Sequence, residues 1–338
     1  MVYGEDFRDL TGKLEELMAQ GRVLVTRRIP PPAAEMLSGA GLTMDLIDSD
    51  DPASRSELLR RLAGADALIA TLTDRIDAEA LNAAGGSLKV VANFAVGYDN
   101  VDVPECTRRG VRVTNTPGVL TDATADLAWA LILAAARHVA AGDALVRHGD
   151  WKGWAPLQLL GLQLSGATLG ILGAGRIGSA VARRSVGFGM KVIYTDQRAN
   201  PELERELEAR RVDFNTLLAE ADVLSVHIPL SAESRHLIGA SQLARMKPTA
   251  VLVNTARGPI IDEVALIDAL RSGRIAAAGL DVYENEPRLM PGLGELSNVV
   301  LLPHLGSATT TTRQRMSQMA AENAIAVLSG REPPNPVN

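Results

Sequence analysis

Arg257, Glu286 and His304 are the side chains of this sequence whose types and spacing could do chemistry together. Arg257 follows the apolar run Val251-Leu252-Val253-Asn254. Glu286 lies in Asp281-Val282-Tyr283-Glu284-Asn285-Glu286-Pro287, after a predicted strand at 276–282. His304 caps a predicted strand at 299–302. Separations of 29 and 18 positions put the three on different strand ends. In an open α/β sheet, ligands bind beyond the carboxyl ends of the strands. Arginine offers a planar fork of donors that holds a carboxylate and polarises a neighbouring carbonyl. Imidazolium is the usual proton donor near neutral pH, and a carboxylate beside it favours the charged form and fixes the ring. These types fit hydride transfer between a nicotinamide, which supplies the hydride itself, and a small 2-keto acid. Taken singly, each has an ordinary reading: a salt-bridge arginine, a loop charge before proline, a structural histidine. Their placement beside a nucleotide motif is what joins them.

That motif is Gly173-Ala174-Gly175-Arg176-Ile177-Gly178. It follows the apolar run Leu169-Gly170-Ile171-Leu172 and opens a helical pattern that reaches Gly187 or Gly189. A second strand, Lys191–Thr195, then ends at Asp196. Gly173 allows the tight turn, Gly175 lets a pyrophosphate approach the backbone, and Gly178 lets helix and strand pack closely. The helix N-terminus receives the phosphates. Asp196, 18 residues beyond Gly178, stands where a carboxylate accepts the ribose hydroxyls. A carboxylate there repels a 2′-phosphate, so NAD is the expected cofactor, with NADP secondary because Arg198 is close by.

The elements that must position these groups alternate between strand and helix. Strands are expected at 22–26, 42–47, 67–71, 89–93 and 111–114, with helices at 33–39, 55–63 and 78–84. Such alternation means parallel sheet and right-handed crossovers. After Thr116-Pro117-Gly118, one long Ala- and Leu-rich helix is expected over 122–147. Its apolar residues outnumber what one face needs, which suits a bridge between domains, a dimer contact, or burial within a single domain. A second unit of six strands follows, at 169–172, 191–195, 222–228, 250–254, 276–282 and 299–302, the pattern of a doubly wound dinucleotide-binding sheet. A last helix, about 309–328, has no strand after it and is free to return to the first domain.

Composition sets outer bounds. A chain of 338 residues with 46% hydrophobic and 22% charged residues has room for two globular domains. A net charge of −6 leaves no footprint for nucleic acid or an anionic membrane. The lone cysteine, Cys106, excludes an internal disulfide and a Cys-based metal site, and no metal is expected. The N-terminus lacks a signal pattern, and the longest apolar run, Leu127–Ala136, is too short to span a bilayer. A cytoplasmic protein is expected. Residues 1–20, with a weak amphipathic turn at Leu14, Leu17 and Met18, read as an N-terminal extension.

Those stretches also carry a family resemblance. The chain resembles the D-isomer-specific 2-hydroxyacid dehydrogenases, and within them is most similar to glyoxylate and hydroxypyruvate reductases. The matching segments are Asn93–Asn100, Asn115–Asp122, Gly173–Gly178, Val253–Gly258, Gly279–Val282 with Glu286-Pro287, and Pro303–Ala308. The resemblance implies an α/β fold of two doubly wound parallel-sheet domains. A Rossmann coenzyme domain (119–307) would be inserted into a flavodoxin-like substrate domain (21–118 and 308–338). It implies that Arg257 binds the substrate, that His304 is the acid and that Glu286 pairs with it. The amides of Val96 and Gly97 would share the carboxylate, and Leu72 would line the pocket. Asp281 would contact the nicotinamide carboxamide, while Thr195, Gln197, Thr255, Ala256 and Gly306 join the Gly-rich loop and Asp196 as cofactor contacts. The 122–147 helix would help form a homodimer, with Trp154 reaching the partner's site. NADH-dependent reduction of glyoxylate, and of hydroxypyruvate, is the leading expectation. The alternatives are another D-2-hydroxyacid dehydrogenase, with a phosphoglycerate, lactate-type or phosphite-type substrate, or a dinucleotide-sensing corepressor-like scaffold. Against phosphoglycerate stands the lack of an appended domain after Asn338, and against formate stands Glu286 where a glutamine is expected.

Overall fold

The computed structural model describes residues 21–338. The expected extension over 1–20, including Leu14, Leu17 and Met18, lies outside the described residues. The chain forms two compact units, one reaching Leu120 and resuming over Thr309–Asn338, the other covering Thr121–Ala308.

In the first unit, β1 (Arg22–Val25), β2 (Thr43–Leu46), β3 (Ala67–Ala70), β4 (Val90–Asn93) and β5 (Arg112–Thr114) are all parallel, in the order β2-β1-β3-β4-β5. This is a flavodoxin-like order. The connecting helices are α1 (Ala33–Gly39), α2 (Arg55–Leu62), α3 (Ala78–Ala84) and α4 (Val103–Arg108). Side-chain alternation along the strands feeds both faces of the sheet. Leu24, Leu68 and Val91 join α2 and α3 in one core, while Val23, Val25, Ile69 and Ala92 join α1 in the other.

The second unit begins with α5 (Thr121–Ala136) and α6 (Val139–Arg147), which replace the single helix expected over 122–147. The two are bent by 64°. The break has a local cause: Leu162 N–H donates to the Ala136 carbonyl (2.8 Å), and His138 takes a left-handed φ of 53°. A carbonyl engaged from outside and a left-handed residue end the i→i−4 ladder. The halves then differ in role. α5 is buried within its own unit, and Gly279 leaves room for its Leu131 against the sheet. α6 buries no residue. Among the described residues, no single helix is long and apolar enough to cross a membrane.

The sheet of this unit has seven parallel strands where six were expected, in the order β12-β11-β10-β9-β6-β7-β8. They are β6 (Thr168–Leu172), β7 (Lys191–Thr195), β8 (Arg210–Arg211), β9 (Val223–Val226), β10 (Val251–Asn254), β11 (Ala277–Leu280) and β12 (Val299–Leu301). The added strand, β8, is a two-residue edge strand of exposed arginines, which has no apolar signature. Between the strands lie α7 (Arg176–Arg184), α8 (Pro201–Leu207), α9 (Phe214–Glu220), α10 (Ala240–Leu243) and α11 (Glu263–Arg271). Side-chain caps mark several starts: Asn200, Asp213 and Asp262 accept from Leu203, Thr216 and Ala265 N–H. The last helix, α12 (Thr310–Leu328), is capped by Thr309 and packs in the first unit, where Ala320, Ala321 and Ala324 complete the core beside α1. The fold is thus two parallel-sheet α/β domains, with a Rossmann-type sheet in the second.

Candidate active site

Because the seven strands are parallel, the segments after β6, β7, β10, β11 and β12 share one sheet edge. The glycine motif sits on it. Gly173 has φ 95°, and a Cβ there would lie 2.8 Å from the His227 carbonyl carbon. At Gly178 a Cβ would overlap the Gly173 carbonyl oxygen, which is the close packing expected of that position. Gly175 differs: a Cβ would meet nothing within 4 Å, so the backbone faces open space. It is also the N-cap of α7, with no side-chain cap. The first-turn N–H groups are therefore available to an anion. Asp196 ends β7 with its Oδ2 accepting from Ala174 N–H (2.7 Å) and Oδ1 from Arg198 N–H (3.1 Å). The acid and the loop are tied into one hydrogen-bonded structure. Of its neighbours, Thr195 donates its hydroxyl to the Val212 carbonyl (2.8 Å), and Gln197 is exposed.

Arg257 follows β10 in extended conformation and is half-buried. Asn254, to which sequence reasoning gave no role, shapes this turn: its Nδ2 donates to the Arg257 carbonyl and its Oδ1 accepts from Ala256 N–H, both at 2.9 Å. Thr255 is buried, with its hydroxyl unpartnered among the described residues. After β11, Glu286 accepts from Tyr283 N–H through Oε1 (3.0 Å), and its Oε2 lies 2.9 Å from His304 Nδ1. Burial alone would push the Glu286 carboxyl up. The His304 hydrogen bond and charge, the Tyr283 N–H and the Arg257 charge outweigh it and hold the carboxyl below the ordinary glutamate range. Glu286 thus interacts electrostatically with both other members of the trio.

His304 itself has φ 56°, a left-handed conformation that costs a β-carbon residue energy. Asp281 holds it there. Its carbonyl accepts from His304 N–H (3.0 Å), and its carboxylate accepts from Leu305 N–H (2.6 Å) and Gly306 N–H (2.8 Å). Burial pushes the Asp281 carboxyl up, against those two N–H groups and His304. Thr124 Oγ1 donates to the Gly306 carbonyl (3.0 Å), fixing the same turn from α5.

Leu72, Val96 and Gly97 belong to the first unit, on the segments after β3 and β4. Two asparagines orient the second of these. Asn115 Nδ2 donates to the Val96 carbonyl and Asn93 Nδ2 to the Gly97 carbonyl, both at 2.8 Å. Asn100 ties the same segment to Thr71 and Asp74, whose buried carboxylate accepts from Thr71 N–H (2.6 Å). Sequence reasoning quoted Asn93, Asn100 and Asn115 within matching stretches without a role. Trp154 is 83% exposed.

Comparisons with known proteins give the family. The family model for the D-isomer specific 2-hydroxyacid dehydrogenase NAD binding domain matches residues 129–306. The chain belongs to that family. Among its relatives, a glyoxylate reductase of Aeropyrum pernix is 52% identical over 327 residues, 95% of this chain and 97% of the relative. One of Thermococcus litoralis is 50% identical over 321 residues, 94% of this chain and 96% of the relative. A crystal structure of a Thermus thermophilus protein, 50% identical, superposes with a TM-score of 0.87 and covers 94% of this chain and 100% of that one. The dehydrogenase is an oxidoreductase that uses a nicotinamide dinucleotide. Its residues fit that cofactor: open backbone at Gly175, uncapped α7 amides for the phosphates and a fixed carboxylate at Asp196 for the ribose. When bound, the reduced nicotinamide supplies a hydride.

Proposed function

We propose that this dehydrogenase reduces glyoxylate, and hydroxypyruvate, to the corresponding 2-hydroxy acid with NADH as the preferred donor. The observation that carries the reading is the 2.9 Å contact between His304 Nδ1 and Glu286 Oε2 beside the charge of Arg257. With Nδ1 engaged by a carboxylate, Nε2 is the ring nitrogen that gives a proton to the new hydroxyl. Arg257 binds the substrate carboxylate and polarises the carbonyl. The Aeropyrum and Thermococcus relatives are glyoxylate reductases, which supports the choice of substrate. Asp196 supports NADH, since a 2′-phosphate would stand against a carboxylate already fixed to the Gly-rich loop.

The protein acts as a homodimer. α6 buries nothing, and Val139, Val146, Trp151, Trp154, Leu157, Leu159 and Leu160 are exposed along it and the segment that follows. Trp154 then reaches the site of the second copy. The buried free thiol of Cys106 is in keeping with a reducing cytosol. The test is NADH oxidation on adding glyoxylate, hydroxypyruvate, pyruvate or phenylpyruvate to the purified chain. Turnover with glyoxylate and hydroxypyruvate is expected, and no turnover with any of the four rejects the assignment.

A further inference from the structure

Two segments carry Arg257 and Glu286, and a pair of carboxylates outside the trio ties them together. Glu263 opens α11, six residues after Arg257, and Glu284 lies two residues before Glu286. Their hydrogen bonds are reciprocal. Glu284 N–H donates to Glu263 Oε1 (2.8 Å), and Glu263 N–H donates to Glu284 Oε1 (3.0 Å). That Glu284 oxygen is also 3.1 Å from His236 Nε2, and His236 N–H donates to the Pro259 carbonyl (2.8 Å), so a third segment grips the same point. Gly258 explains how the segments come so close, because a Cβ there would collide with the Tyr283 carbonyl. From this peptide the path to the trio is short. Tyr283 N–H holds Glu286 Oε1, leaving Oε2 for His304.

Helix capping does not account for Glu263. Asp262 already caps α11 by accepting from Ala265 N–H (3.1 Å), and Glu263 is 2% exposed, far below an ordinary first-turn glutamate. Its second oxygen, Oε2, is buried with no hydrogen-bond partner among the described residues. Burial holds this carboxyl above the ordinary range, the Glu284 N–H opposing and the charges of Glu284 and Glu286 adding to it. Oε1 accepts from Glu284 N–H by its position, so the clamp is a matter of reach.

We propose that Glu263 is a positioning residue for the trio: its reciprocal clamp with Glu284 sets where the Glu286 carboxylate stands relative to Arg257, and so holds the bond to His304 Nδ1. The proposal rests on the dehydrogenase reading of the trio. It depends on reach rather than charge, and two conservative variants separate these. Glu263→Gln keeps the length and an acceptor oxygen but cannot ionise. Glu263→Asp keeps the acid but is one methylene short of Glu284 N–H.

With glyoxylate and NADH, Glu263→Gln is expected to stay within about twofold of wild type. Glu263→Asp is expected to lose about tenfold in kcat, with KM for NADH within about twofold. A wild-type rate in Glu263→Asp, or an equal loss in both variants, overturns the clamp. Crystal structures of the two variants read it without turnover. The Glu286–His304 contact is expected at 2.9 Å in Glu263→Gln and broken in Glu263→Asp, and an unchanged contact in the latter also overturns the proposal. Wild-type protein inactive on glyoxylate would instead strike the substrate assignment, and the crystal structures would still decide the clamp.

Discussion

His304 and Arg257 differ in what their loss should do. Removing a general acid costs roughly 10²–10⁴ in rate. His304→Ala is therefore expected to lower kcat for glyoxylate reduction by about that factor, with a smaller change in KM. On the proposed reading, Arg257→Ala removes a charge-assisted anchor, worth about 1.5–3 kcal/mol, and should raise KM as well as depress kcat. Steady-state kinetics separate the two patterns, and near-wild-type kinetics in either variant contradicts its role. Glu286 makes a prediction in pH. Its native carboxyl lies below the ordinary glutamate range, despite burial, because of His304, the Tyr283 N–H and Arg257. A depressed acid stabilises the fold fully above its unfolded value, about 4.3, and loses that contribution as pH falls through the native value. Glu286→Gln should thus melt below wild type near pH 7, the gap closing as pH falls below about 4. A gap that persists or widens in acid refutes this. For Asp196→Ser, the Ala174 N–H loses a charged acceptor and, on the proposed reading, the ribose loses its carboxylate. kcat/KM is expected to fall about tenfold with NADH and to rise with NADPH. Unchanged preference for NADH would show that charge at this position does not select the cofactor.

At the scale of elements, His138 is the most informative position. Its left-handed φ of 53° turns α5 into α6, and such a conformation costs a β-carbon residue about 1–2 kcal/mol. Glycine adopts it freely but loses more entropy on folding. His138→Gly is expected to raise stability by up to about 1 kcal/mol, a rise in Tm of about 2 °C. A lower Tm would mean that the imidazole contributes more than the strain removes. The same break shows where sequence reading stops. Leu127–Ala136 carries a strong helical pattern, but nothing near it in sequence marks its end. The decisive donor, Leu162 N–H, comes from 26 residues further on. α4 was not expected because six residues opened by Val103-Pro104 give too little periodicity, and β8 because two exposed arginines have no apolar face. The central strands were legible because they are short, fully buried apolar runs, as at Ala67–Ala70, Val223–Val226 and Ala277–Leu280. The segments bearing the trio were legible as reactive side chains at strand ends. Their supports were not: Glu263 and Asp281 act through backbone amides brought near by tertiary structure, and Asn254 through a local turn that has no apolar pattern.

For the whole molecule, two units with separate cores account for the buried apolar residues but leave one surface unexplained. Of eleven exposed large apolar side chains among the described residues, seven fall between Val139 and Leu160, all in the second unit. Soluble proteins seldom leave such a concentration uncovered. A second copy is the occupant that the homodimer reading supplies. An isologous pair places the same patch on both sides of the interface, and self-complementarity is natural for a helix with no buried residue of its own. Light scattering is expected to give twice the chain mass for wild type. Leu157→Glu with Leu160→Glu puts like charges into both halves of the contact and should yield monomers that keep the secondary structure of wild type. If Trp154 completes the neighbouring site, those monomers lose affinity for glyoxylate, and Trp154→Ala in an intact dimer raises KM in the same direction. Both losses are needed. A dimer that persists in the double variant locates the interface elsewhere, and monomers with unchanged KM would show that Trp154 serves no neighbouring site.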